Sequence, residues 1–203
     1  MSPFDVILFD IGGVLLTNGW DHCERNVVLD HFRLDRAEFE ARHPAPNEAW
    51  ERDLITAREY LDATVFYRPR DFTPEDFLEV MFAQSAVMPN GGLSILDEVA
   101  ASGKWVLGCL NNEAREPNEH RMRTFELRKY FDVALSSCYV GLRKPQPEIF
   151  RRALDILGRP AERILFIDDR QENASAAAAA GMKAIRFNGA DGLRRDLETL
   201  EVI

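Results

Sequence analysis

The chain sets polar residues where its apolar runs stop. The run at residues 4–9 ends in Asp10, inside the stretch FDIGGVL. A second run, residues 105–110, gives way to Asn111 and Asn112. After a third, residues 132–136, comes GLRKPQPEIF, with Lys144 just ahead of Pro145. A fourth, residues 164–167, closes on the pair Asp168–Asp169, with Asn173 further on. Hard oxygen ligands suit Mg²⁺, which takes one or two protein carboxylates and fills its shell with water and substrate oxygens. A lone carboxylate, an amide, an ammonium and a carboxylate pair at one edge make a site for Mg²⁺ and a phosphate. Taken singly, each residue also has a structural use. Asp10 caps a turn, Asp168–Asp169 open a helix where acids are favoured, Asn111 holds a strand-to-helix turn, and Lys144 is a solvated loop charge. The functional reading rests on their joint occurrence.

Bringing those residues together requires a particular scaffold. The four runs and a fifth at residues 183–187 are rich in Val, Ile, Leu and Phe, and most are nearly continuous. That is the pattern of strands buried on both faces of a parallel sheet. Helical periodicity separates the later runs. In residues 147–157 the stripe Ile149, Phe150, Ala153, Leu154, Leu157 starts at Pro147 and stops before Gly158, as helices favour. The alanine tract at 176–180, ended by Gly181, predicts a close-packed helix with a C-terminal glycine. Alternation of this kind predicts an α/β fold, a doubly wound and mainly parallel sheet. Residues 17–90 differ: they hold no clear strand but several capped helices. Thr56 and Glu59 form a capping box, and Thr73-Pro74 opens a helix with Phe72 and Phe77 as a hydrophobic staple. We therefore expect a core of residues 1–16 with 91–203, and a helical cap of residues 17–90 over the sheet edge where α/β folds bind ligands.

These segments, in this order, resemble the haloacid dehalogenase superfamily of aspartate-nucleophile hydrolases over nearly the whole chain. FDIGGVL, GLRKPQPEIF and FIDDRQENASAAAAAGM carry the likeness. The nearest branch has small helical caps and includes sugar-phosphate phosphatases and the phosphatase domain of soluble epoxide hydrolase. The resemblance implies that Asp10 attacks phosphorus to form an aspartyl-phosphate. It implies Mg²⁺ on Asp10, on the Gly12 carbonyl and on Asp169, with Asp168 beside it. Lys144 would neutralise phosphoryl oxygens and keep Asp10 ionised. Asn111, with Asn112 as the weaker candidate, would hold the transferring group.

Two positions depart from the family's pattern. Its phosphatases carry a second aspartate two residues after the nucleophile, where this chain has Gly12. That residue is their general acid, a role typically worth about 10²–10⁴-fold. They also place Ser or Thr where this chain has Leu110. Three outcomes are open. The substrate has a good leaving group, such as a sugar-1-phosphate; or a cap residue, Asp21 or His22, supplies the proton; or the protein is a weak or inactive relative that binds a ligand or partner. A metal-free dehalogenase-type hydrolase acting through Asp10 is a further alternative, separated from the phosphatase by metal dependence.

Composition narrows the partners. Net charge is −9, which argues against sequence-independent nucleic-acid binding. The three cysteines, Cys23, Cys109 and Cys138, form no disulfide framework and no metal spacing. With no signal-peptide pattern and no run of membrane-spanning length, the expectation is a cytoplasmic hydrolase. It would act on a small phosphorylated metabolite, bind neither nucleic acid nor membrane, and exist as a monomer or weak homodimer.

Overall fold

A computed structural model describes residues 3–203. Five parallel strands form one sheet: β1 (Val6–Phe9), β2 (Val106–Cys109), β3 (Val133–Ala134), β4 (Ile164–Asp168) and β5 (Lys183–Arg186), in the order β3-β2-β1-β4-β5. Phe9 lies opposite Cys109 on one side and Ile167 on the other, so β1, β2 and β4 end at the same level. The central strand is flanked by strands reached in opposite directions, which opens a crevice at its C-terminal end.

The near-continuous apolar strands follow from burial on both faces. Side chains alternate along a strand. Ile7 and Phe9 enter one apolar layer with Leu107, Leu165 and Ile167, while Val6 and Leu8 enter the other with Ile164 and Phe166. The first layer is covered by α6 (Leu93–Ser102), α7 (Arg115–Thr124) and α11 (Ala190–Thr199). The second lies under α9 (Pro147–Leu157) and α10 (Gln171–Ala179). Pro147 stands in the first turn of α9 and Gly158 ends it at φ 60°. The alanine tract is helical as the sequence predicts, and Gly181 comes after it at φ 92°.

Between β1 and α6 run five helices: α1 (His22–His31), α2 (Arg36–Arg42), α3 (Pro44–Glu51), α4 (Ala57–Thr64) and α5 (Pro74–Phe82). They enclose an apolar cluster of their own around Trp50, Tyr60, Leu61 and Phe77. Both predicted N-termini are capping boxes, Thr56 with Glu59 and Thr73 with Asp76. The rings of Phe72 and Phe77 stack 6.4 Å apart across the second. Trp50 packs face to face on Tyr60, so it belongs to the insert's interior. The chain leaves and rejoins the core side by side, Thr17 N donating to Ala86 O at 2.8 Å.

One element differs from its expected span. The run at 132–136 gives only a two-residue strand. Strand β3 is an edge, and after Leu135 N donates to Cys109 O the chain turns into a short helix, α8 (Ser137–Val140). No helix among the described residues is long and apolar enough to cross a membrane.

Candidate active site

Asp10 extends β1 by one residue, its N–H donating to Ile167 O at 2.8 Å. Its Oδ1 accepts from Ile11 N at 2.8 Å and lies 3.0 Å from Lys144 Nζ. Among the described residues no donor reaches Oδ2. Lys144 Nζ lies 2.6 Å from Asp168 Oδ2, and both side chains are shut off from solvent. Asn173 Nδ2 donates to both oxygens of Asp168, at 3.0 and 3.1 Å, and Arg170 N donates to Oδ1 at 2.9 Å. The Lys144 loop is fixed by one amide: Lys144 N donates to Asn112 Oδ1 at 2.8 Å and Asn112 Nδ2 donates to Lys144 O at 2.9 Å.

A third carboxylate completes the cluster. Asp10, Asp168 and Asp169 each offer an oxygen within 4.8 Å of the others. Asp169 Oδ1 is buried with no hydrogen-bond partner. Gly13 makes this approach possible: its φ is 72°, and a Cβ there would sit 2.4 Å from Asp169 Oδ2. Burial raises the Asp10 carboxyl to about 7, outweighing the pull of Lys144, with Asp168 and Asp169 adding to the rise. Lys144 pulls Asp10 toward the ionised form, and desolvation pushes more strongly the other way. Burial and the charge of Asp168 also raise Asp169. Three carboxylates face one ammonium. The donor set is all hard oxygen, and one buried oxygen lacks a partner. These residues fit a divalent cation such as Mg²⁺.

Asp10 and Lys144 lie on the floor of a cavity of about 340 Å³, while Asp168 and Asp169 are set behind them and do not line it. Gly12, Asn112, Lys144 and Asn173 share the floor, and the walls include Asn18, Trp20, Arg25, Asn47, Arg143, Gln146 and Arg170. The other sequence-predicted residues divide. Asn112 lines the cavity, but Asn111 does not. Asn111 Nδ2 donates to Asn118 Oδ1 at 3.1 Å and its Oδ1 accepts from Ser136 at 2.8 Å. Its side chain is committed beneath the floor, contrary to a phosphate-holding role. Leu110 is fully buried in the apolar layer under α9 and α10. His22 is 68% exposed and turned toward Glu40, outside the cavity. Asp21 does line it, ion-paired to Arg170 at 2.8 Å.

Sequence reasoning missed a second buried pair at this wall. Arg121 Nη1 donates to Glu113 Oε2 at 2.7 Å, and their side chains are 3% and 8% exposed. Arg121 is on α7, whose composition reads as a solvated helix. No periodicity marks it as buried.

The haloacid dehalogenase-like hydrolase family matches residues 4–181. This chain belongs to that family. The hydrolase is 30% identical over 187 residues to flavin mononucleotide hydrolase 1 of Arabidopsis thaliana, a match covering 87% of this chain and 74% of that protein. It is 26% identical over 206 residues to a sesquiterpene phosphatase of Aspergillus oryzae, covering 100% and 98%. Other curated relatives match locally, over 34–36% of this chain and 13% of their own length. The fold superimposes with a TM-score of 0.75 on a Bacteroides thetaiotaomicron enzyme of the same family, solved with magnesium and inorganic phosphate. That pair is 22% identical, covering 92% of this chain and 95% of the other, and shows the fold alone.

Proposed function

We propose that this hydrolase is a Mg²⁺-dependent phosphomonoesterase that cleaves a small phosphorylated metabolite through an aspartyl-phosphate at Asp10. The observation that carries the reading is the cluster itself: Asp10, Asp168 and Asp169 within 4.8 Å, joined by Lys144. Matches to two relatives named for phosphate-ester hydrolysis support it. The site's position at the end of the central strand supports it too.

Each residue has work that follows from its contacts. Asp10 keeps Oδ1 fixed by Ile11 and Lys144 and presents Oδ2 as the attacking atom. Lys144 carries the positive charge that phosphoryl oxygens need, with no reorganisation at the moment of reaction. Asp168 is saturated by Lys144, Asn173 and Arg170 N–H, so its work is to hold Lys144 in place. Asp169, with its free buried oxygen, Asp10 and the Gly12 carbonyl would hold Mg²⁺, with Asp168 beside them. The ion would supply charge neutralisation at the phosphoryl group when bound. Asn112 positions the Lys144 loop from behind.

The helical insert, residues 17–90, acts as the cap. It brings Trp20, Arg25 and Asn47 to the cavity, and these walls are mainly charged or amide-bearing. Such walls suit a hydroxyl-rich leaving group, and we place sugar-1-phosphates first among candidate substrates.

The test is hydrolysis of an activated aryl phosphate with and without Mg²⁺, by the wild type and by Asp10→Asn. Turnover that needs Mg²⁺ and vanishes in the variant is expected. A folded wild type that binds Mg²⁺ and turns over no faster than Asp10→Asn overturns the reading in favour of a ligand-binding relative. Turnover that survives removal of Mg²⁺ overturns the metal dependence. Metal-free, Asp10-dependent halide release from a 2-haloacid, in place of phosphate turnover, is the mark of the dehalogenase-type alternative.

A further inference from the structure

Gly12 removes the side chain that protonates the leaving group in related phosphatases, and the space beside it is not empty. A Cβ on Gly12 would lie 3.1 Å from Asn18 Oδ1 and 3.9 Å from Arg121 Nη1. That nitrogen is 2.7 Å from Glu113 Oε2. A Cβ on Gly19, seven residues further along, would lie 3.6 Å from Glu113 Oε2 itself. Gly12, Arg121 and Glu113 all line the cavity that holds Asp10. The Glu113 carboxyl, carried on the loop after β2 and held by Arg121 of α7, therefore shares a cavity with the place that the second aspartate would fill from β1.

We propose that Glu113, held by Arg121, is the proton carrier of this active site. The proposal rests on the phosphatase reading. In the first step Asp10 Oδ2 bonds to phosphorus and the bond from phosphorus to the leaving oxygen breaks. The electron pair goes to that oxygen, which takes the proton of neutral Glu113 and departs as the alcohol. In the second step Glu113 carboxylate takes a proton from water as the water oxygen bonds to phosphorus. The bond from phosphorus to Asp10 breaks, its electron pair returning to the Asp10 carboxylate. Inorganic phosphate leaves, and Glu113 is neutral again. Water is the only co-reactant.

The surroundings suit a group that must exist in both forms. Burial is the main influence and pushes Glu113 up to about 7, helped by the Glu51 carboxylate of α3 and opposed by Arg121 of α7. The Cys138 thiol of α8 is a further titratable neighbour, and Arg143, 2.5 Å from Glu51, lines the same cavity. A carrier works best when its pKa is near the operating pH. Arg121 also donates to Thr17 O, tying Glu113 to the turn that carries Gly12. Its Nε is buried without a partner, so the guanidinium is not fully committed within the protein. Asp21 is a poorer carrier, being bound to Arg170 at the rim.

A leaving-group series separates this role from a structural one. Glu113→Gln keeps an acceptor for Arg121 and removes the proton. For alkyl phosphates we expect a loss of roughly 10²–10⁴-fold. Both losses are read in kcat/KM, which reports only the steps up to departure of the leaving group and not the hydrolysis of the aspartyl-phosphate. For nitrophenyl phosphate, whose leaving group needs no proton, the loss in kcat/KM stays under about tenfold by the same reasoning. Adding Gly12→Asp to the Glu113→Gln protein should recover part of the alkyl phosphate rate. Equal losses on both substrate classes overturn the proposal. If Glu113→Gln does not fold, the wild type still decides. Its kcat/KM for alkyl phosphates should fall on the alkaline side of about 7, in a limb absent for nitrophenyl phosphate. Identical profiles overturn the proposal. A wild type that hydrolyses neither class fails at the phosphatase reading, and the inference falls with it.

Discussion

Lys144→Met tests the electrostatic reading of the site by stability alone. The substitution keeps much of the side-chain volume and removes the one ammonium at the cluster. Lys144 is 1% exposed at its side chain and touches Asp10 at 3.0 Å and Asp168 at 2.6 Å, partners 10% and 0% exposed. Removing one member of a buried pair leaves an uncompensated charge and costs about 3–5 kcal/mol. For a domain of this size each kcal/mol moves Tm by roughly 2–4 °C, so Tm should fall by about 6–20 °C. Asp168→Asn in the same background removes the stranded charge and should recover at least a third of that fall. The assay is thermal unfolding by circular dichroism in Mg²⁺-free buffer at neutral pH. High salt should leave the difference in place, because buried pairs are poorly screened. A fall of less than about 2 °C, below even a single kcal/mol on this scale, would refute the reasoning. The cluster would then be more hydrated than its burial indicates.

Gly13→Ala puts a Cβ 2.4 Å from Asp169 Oδ2 at φ 72°. It should lower stability by about 1–2 kcal/mol from the left-handed backbone alone and displace Asp169. The rise in Tm on adding Mg²⁺ should shrink, and an unchanged rise contradicts the placement of Asp169. His43 is buried with Nδ1 2.8 Å from Tyr60 Oη, and burial lowers it from 6.5 to about 4. Between those values the unfolded chain takes up a proton that the folded one refuses, so this contribution is complete above pH 6.5 and is lost as pH falls toward 4. The full effect is on the order of 3 kcal/mol. Asp10 and Glu113, raised by burial, act in the opposite sense over similar pH, so the term is read as wild type minus His43→Gln. Parallel Tm-against-pH curves for the two proteins would contradict it.

The legible parts of the sequence were those in which one residue type has one local use. Buried strands showed in unbroken Val, Ile, Leu and Phe. Helix starts showed in Thr56–Glu59 and Thr73-Pro74, and helix ends in Gly158 and Gly181. Asp10, Lys144 and Asp168–Asp169 could be paired because parallel strands ending level must gather the residues just past their ends. Side-chain direction was not legible. Asn111 and Asn112 are neighbours, yet one faces Asn118 and Ser136 below the floor and the other grips the Lys144 loop. Helix α7 was the main blind spot. Its sequence, REPNEHRMRT, offers Met122 as its one large apolar side chain, but Asn118 and Arg121 are buried as well because the surface beneath them is polar, built from Asn111, Ser136, Glu113 and the Thr17 carbonyl. Hydrophobic periodicity detects apolar floors only, so a buried carboxylate–guanidinium pair eight residues apart leaves no mark in it.

The most direct test of the central claim is to trap the covalent intermediate. The wild type, turning over an activated aryl phosphate with Mg²⁺, is quenched in acid, and the quenched protein is reduced with borohydride and digested. Its peptides are then read by mass spectrometry. The account predicts that the peptide carrying Asp10 is converted to the homoserine product of a reduced aspartyl-phosphate, in wild type and not in Asp10→Asn. Sustained turnover with Asp10 unmodified and the rate retained in Asp10→Asn would contradict it.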